Sequence, residues 1–191
     1  WSPGAERWSR RRCSGVVAAV VVLYGPKGVG KSMVARVLER RLGVHHVDPD
    51  RVVLQLQSAG VRPDPDKGWL APIRERVLAA LGEREAVSTE ATGAYRSDWQ
   101  LAEDLEALGY RVIRVWIEAS PEAARQRLAS RVEPRVETDS DEVRWIHEQA
   151  SVHARMHTFD LEIDTNRLFP EEKVVRRSEE HTSELQSPSA I

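Results

Sequence analysis

A single cysteine, Cys13, stands in 191 residues, so no internal disulfide can staple this chain, and a reducing, cytoplasmic setting suits it. Lysine is also scarce: Lys27, Lys31, Lys67 and Lys173 are the only four among 28 basic residues. No charge of one sign dominates. A formal net charge of −2 and a pI near 6.4 speak against a dedicated nucleic-acid or membrane-surface binder. The apolar run 16–24 follows Arg10, Arg11 and Arg12 in the manner of a secretory signal, but it runs into a glycine loop rather than a small-residue cleavage site. It is too short to cross a bilayer and reads as a first core strand. No internal repeat is visible.

Two of the four lysines fall in one stretch. Gly25-Pro26-Lys27-Gly28-Val29-Gly30-Lys31-Ser32 fits the phosphate-binding pattern G-x-x-x-x-G-K-[ST] at every fixed position. Glycines let successive backbone N–H groups curl around phosphates, because a Cβ would block the turn and the approach. The expected nucleotide cradle is Gly25, Gly28, Val29, Gly30, Lys31, Ser32 and Met33, with Lys31 reaching the β- and γ-phosphates of ATP and the Ser32 hydroxyl a ligand of Mg²⁺. The flanks agree. A β-branched run precedes the loop, and Val34, Val37, Leu38 and Leu42 follow it at helical spacing up to Gly43. Strand, glycine loop and helix together place bound phosphate on a helix N-terminus.

The remaining pattern alternates. Strands are expected at 44–47, 86–89, 111–118 and 161–164, and helices at 51–58, 69–81, 97–108 with Ser97 as cap, from Pro121, and at 141–157. Residues 132–140 read as a loop, and a last helix begins at Pro170. This is an α/β three-layer sandwich: five mostly parallel strands with helices on both faces. Ligands in such sheets sit beyond the carboxyl ends of the strands, which makes the glycine loop, Asp48, Asp50 and Glu90 neighbours. The domain is expected over 16–176. Residues 1–15 read as a non-core extension, and 177–191 as a foreign tail, since Arg177-Ser178-Glu179-Glu180-His181-Thr182-Ser183-Glu184-Leu185-Gln186-Ser187 looks like translated sequencing adapter.

At this point the chain resembles the small P-loop kinases, particularly the shikimate-kinase-like and gluconate-kinase-like group of the P-loop NTPase superfamily. The resemblance rests on the P-loop, Asp48-x-Asp50, Ala119-Ser120-Pro121-Glu122 followed by Arg127-x-x-x-Arg131, and Leu161-Glu162-Ile163-Asp164-Thr165. It implies strand order 2-3-1-4-5 and an arginine-bearing lid at about 131–141. Two departures bear on substrate. Strand three runs into Thr89-Glu90-Ala91-Thr92-Gly93 rather than a glycine triplet, and Ser151 stands where shikimate kinases carry an arginine and Phe159 where they carry the alanine eight residues later.

The implied activity is ATP- and Mg²⁺-dependent transfer of the γ-phosphoryl group to a small-molecule hydroxyl, with no nucleic-acid or membrane partner. Asp50 is the candidate base and acceptor contact, Asp48 lies near the metal, Glu90 touches substrate or metal, and Arg127 and Arg131 supply transition-state charge beside Lys31. Each has a plainer reading. Asp48 is then a helix cap, Asp50 a first-turn acid, Glu90 a solvated strand end and the two arginines surface ion-pair partners. Arg62, Arg74 and Arg76 lie near the expected acceptor pocket, and Thr165 and Asn166 near the adenine. His153 and His157 have zinc-like spacing but read better as exposed histidines. Two alternatives stay open: a nucleotide-gated regulatory ATPase, disfavoured by the lack of an obvious strand ending in aspartate, and a toxin- or antibiotic-type phosphotransferase.

Overall fold

The computed structural model describes residues 18–65, 68–130 and 140–166. Residues 1–15, the lid over 131–139 with Arg131, the helix expected from Pro170 and the tail 177–191 lie outside the described residues. Five strands, β1 (Ala19–Tyr24), β2 (His45–Val47), β3 (Ala86–Ala91), β4 (Arg111–Glu118) and β5 (Leu161–Asp164), form one sheet in the order β2-β3-β1-β4-β5. Every pairing is parallel. The order is the one the resemblance implies, with no antiparallel member.

β1 lies in the middle, in register with β3 through Val22↔Thr89 and with β4 through Val22↔Arg114. Its unbroken apolar run follows from that position, because both faces are covered. Val20, Val22 and Tyr24 pack to one side and Val21 and Leu23 to the other. Full burial of such a side chain contributes about 1.5–3 kcal/mol each. The first side is covered by α2 (Pro49–Ser58), α3 (Leu70–Leu81), α4 (Arg96–Ala107) and α6 (Ser140–Ala154), through Val52, Val77, Leu105 and Ile146 among others. The second is covered by α1 (Lys31–Leu42), through Val34, Ala35 and Leu38. The remaining helix, α5 (Pro121–Ala129), lies against the glycine loop, where the Ala124 carbonyl stands beside Gly28.

Local chemistry sets three of the helix starts. Asp48 caps α2 by accepting from the Asp50 N–H at 3.0 Å, and Ser120 caps α5 by accepting from Ala123, each with proline next. α4 differs from expectation. It begins at Arg96, so Ser97 is inside the helix, because the Asp98 carboxylate accepts from the Tyr95 N–H and takes over the cap. α6 ends at Ala154, which leaves His157 beyond it.

Candidate active site

The loop between β1 and α1 is shaped by glycines that nothing else can replace. A Cβ on Gly25 would stand 2.2 Å from the Ile117 carbonyl oxygen, and one on Gly28 would stand 2.5 Å from that of Ala124. Both residues also hold positive φ, 146° and 87°. Four of the loop carbonyls are engaged by side chains. Lys31, only 8% exposed, folds its Nζ onto the Gly25 and Pro26 carbonyls at 2.6 and 3.0 Å. His147 of α6 reaches the Lys27 carbonyl at 2.8 Å, and Val29 accepts from Arg127 at 3.1 Å and from Thr165 at 2.6 Å.

Carbonyl oxygens engaged in this way are not left to repel an anion, and backbone N–H groups of such a loop suit one. α1 then opens with no side-chain cap and no acid in its first turn, unlike α2 and α5. Its first N–H groups suit an anion. Burial pushes the His147 pKa below the usual histidine value, the Lys27 carbonyl opposes this and the Lys31 charge adds to it. A neutral ring donating from Nε2 fits its carbonyl partner.

Glu90 is the acid that meets this loop. β3 adjoins β1, and alternation along β3 puts Ser88 and Glu90 on the α1 side of the sheet. The carboxylate is held between His46 of β2, whose Nε2 stands 3.4 Å from Oε1, and the Ser32 hydroxyl. Burial pushes its pKa up, but His46, the charge of Lys31 and the Ser32 hydrogen bond outweigh this and hold it at about 2. Glu90 is therefore ionised and nearly buried, with its side chain 10% exposed. Oε1 nevertheless has no well-formed hydrogen bond, nor has His46 Nε2; on the opposite face of β3, Thr89 Oγ1 is likewise unmatched. An orphaned carboxylate oxygen beside the P-loop serine fits Mg²⁺, which takes one or two protein oxygens and completes its shell with phosphate and water. Among the described residues no group of three or more His, Cys, Asp or Glu gathers as a metal centre of its own.

Other expected residues fall into place differently. Asp48 and Asp50 stand at the carboxyl end of β2, Asp48 as the α2 cap and Asp50 half-buried in its first turn. Arg127 was expected to reach ATP phosphates. Instead its guanidinium donates to the Val29 carbonyl and to Thr165, at Oγ1 (2.7 Å) and at the carbonyl (2.6 Å), so it braces the loop against the end of β5. Thr165 is 2% exposed and belongs to that brace. Arg74 pairs with Asp104 of α4. His153 meets the Gly93 carbonyl at 3.2 Å and His157 stacks on Trp99 at 3.7 Å, so these histidines are neither a zinc pair nor simply exposed. Met33, at the loop's far end, is 40% exposed.

Three residues were not singled out in advance. His46 and His147 act through partners 42 and 120 residues away, which no local pattern reports. Asp98 is a buried carboxyl whose pKa burial raises against the Thr92 hydroxyl, the Tyr95 and Gly93 amides and the Lys31 charge. It ties the β3–α4 loop together. Parity was the one available signal for His46, since it shares a sheet face with Ser88 and Glu90.

A model of the AAA domain family matches residues 20–154. The chain belongs to that family. A cytidylate kinase of Citrifermentans bemidjiense is 33% identical over 78 residues, covering 39% of this chain and 34% of that protein. The matches span 34% to 47% of the length of the curated relatives. In fold the chain is similar to a shikimate kinase from Acinetobacter baumannii in complex with shikimate, with TM-score 0.60 and 18% identity over 92% of this chain and 99% of that one. It is also similar to the Deinococcus radiodurans tunicamycin resistance protein, with TM-score 0.62 and 20% identity over 86% and 95%. These likenesses fix the three-layer P-loop kinase fold, the group recognised in the sequence. No helix among the described residues is long and apolar enough to cross a membrane.

Proposed function

We propose that this protein is an ATP- and Mg²⁺-dependent kinase that transfers the γ-phosphoryl group to a hydroxyl of a small-molecule acceptor, in the cytoplasm. The observation that carries the reading is the meeting of Glu90, Ser32 and Lys31 at the mouth of the glycine loop. Phosphoryl transfer asks little covalent chemistry of a protein and much positioning and charge. The loop from Gly25 to Met33 holds the triphosphate, with the amides of Gly28, Val29, Gly30, Lys31 and Ser32 as donors, while Gly25 and Met33, whose N–H groups donate to the Ala91 and Gly30 carbonyls, fix the two ends of the loop. Lys31 leaves the Gly25 and Pro26 carbonyls for the phosphate oxygens.

Ser32 and Glu90 would hold Mg²⁺, with Asp48 near it. The ion, when bound, neutralises charge on the β- and γ-phosphates. Asp50 accepts the proton of the acceptor hydroxyl. Arg127, engaged on Val29 and Thr165, keeps the loop in shape, and Arg131, four residues on, supplies charge to the transferring group. The acceptor approaches between the β2 end and the β3–α4 loop, where Tyr95 and Trp145 stand with ring centroids 5.2 Å apart and both side chains exposed.

Turnover of ATP against a panel of polyols, sugar acids and nucleosides tests this. A rise of about tenfold or more with one member is expected, and indifference to the whole panel overturns the reading in favour of the regulatory ATPase. That rival is less disfavoured for want of an acid, because Glu90 stands next to last in the strand beside β1. A second reading, an antibiotic-type phosphotransferase, is supported by the likeness to the tunicamycin resistance protein. Tunicamycin therefore joins the panel. Asp50→Asn separates the roles: full transfer with this variant removes Asp50 as base.

A further inference from the structure

His46 lies in β2 directly opposite Ser88 of β3. Its Nδ1 stands 3.1 Å from the Ser88 hydroxyl oxygen, and its Nε2 stands 3.4 Å from Glu90 Oε1. The imidazole and the carboxylate are 14% and 10% exposed, and Ser88 is fully buried. An ionised carboxylate needs a hydrogen, not a lone pair, at the facing ring nitrogen. Nε2 therefore carries the proton, and Nδ1 accepts from the Ser88 hydroxyl. A buried hydroxyl thus fixes the ring's orientation, and the ring presents Nε2 at 3.4 Å to the carboxylate that also accepts from Ser32, close enough to restrain it though not in ideal hydrogen-bond geometry.

We infer that His46 is a positioning residue for the divalent metal, holding Glu90 toward Ser32 through a Ser88–His46–Glu90 chain across two strands. This rests on the reading of Ser32 and Glu90 as the metal end of the site. Outer partners of this kind act on metal affinity by orienting the ligand, and losing one typically costs about 10–100-fold. The contacts that link Ser88, His46, Glu90 and Ser32 run between side chains, whereas the loop offers a nucleotide its backbone amides, so nucleotide binding without metal should depend little on His46. A glutamine at 46 can offer an amide N–H where Nε2–H stands, whereas a leucine fills similar volume with no donor.

The test uses the full 191-residue chain with Mn²⁺ as a spectroscopic probe, its free and bound forms counted by electron paramagnetic resonance in the presence of ADP, and ADP affinity measured separately in EDTA. His46→Leu is expected to weaken Mn²⁺ about tenfold or more. ADP affinity in EDTA should stay within about twofold, a ratio worth less than 1 kcal/mol. His46→Gln recovers most of the metal affinity, and Ser88→Ala loses part of it by letting the ring turn. Unchanged Mn²⁺ affinity in His46→Leu overturns the inference. So does a parallel loss of ADP and Mn²⁺ affinity with a lowered melting temperature, which makes His46 an ordinary core residue; His46→Gln and Ser88→Ala keep the question answerable if the leucine variant does not fold. Failure of the unaltered chain to bind ADP at all sinks the kinase reading itself, and is seen before any variant is made.

Discussion

The two ends of the proposed reaction are built to different standards. On the nucleotide side the carbonyls of Gly25, Pro26, Lys27 and Val29 are engaged by Lys31, His147, Arg127 and Thr165, and two glycines admit no Cβ. On the acceptor side Asp48 and Asp50 sit in a helix's first turn at the edge strand, and Tyr95 and Trp145 stand 38% and 41% exposed. The shared chemistry is over-determined, so it tolerates little change. On the proposed reading, selectivity falls to surface side chains that can change without disturbing the fold.

Lys31→Ala is the heaviest blow to the first side. ATP turnover should fall about a hundredfold to a thousandfold or more, as when one preorganised charge donor is lost, while circular dichroism stays native; a variant retaining a tenth of the activity would put the phosphate-binding role elsewhere. Gly25→Ala should cost about 2–4 kcal/mol in urea unfolding, the sum of a left-handed backbone and a clash. Gly43→Ala, where nothing lies within 4 Å and φ is 67°, should cost about 1 kcal/mol. Equal losses at the two sites would refute the idea of a loop closed against Ile117.

Thr165→Val should cost about 1–3 kcal/mol by unpairing the brace on Val29. The acid limb of stability sharpens the same contrast. Glu90 is depressed from 4.5 to about 2, so its stabilising contribution is full above 4.5 and is lost as pH falls toward 2. Glu90→Gln should flatten that limb in pH-dependent melting, and an unchanged limb would mean the carboxylate is not compensated as described. Smallest of all is Trp145→Ala, expected within about 0.5 kcal/mol in stability, with a raised KM for the acceptor and an unaltered ATP KM. A raised ATP KM instead would move Trp145 to the nucleotide side.

Much of this architecture is legible in one dimension. Periodicity located all five strands, Asp48-Pro49 and Ser120-Pro121 marked their helices, and the loop's spacing named its own ligand class. Misreadings arose where a side chain found a partner that the local pattern did not single out. Ser97 lost its cap to Asp98, a neighbour whose carboxylate accepted the Tyr95 amide first. Arg127 and Arg74 looked available because their partners, Thr165 and Asp104, lie 38 and 30 residues away.

Taken alone, the sequence determined that a buried strand runs into a phosphate loop and a helix, and that four further strands alternate with helices. Those are short-range facts, written in spacing, caps and glycine placement. Only the tertiary structure decided which acid meets the loop. β3 is inserted between β2 and β1, and that pairing brings Glu90 to Ser32 and Lys31 and sets His46 behind it. Strand order depends on how whole faces pack, so no local pattern around Glu90 could announce its partners.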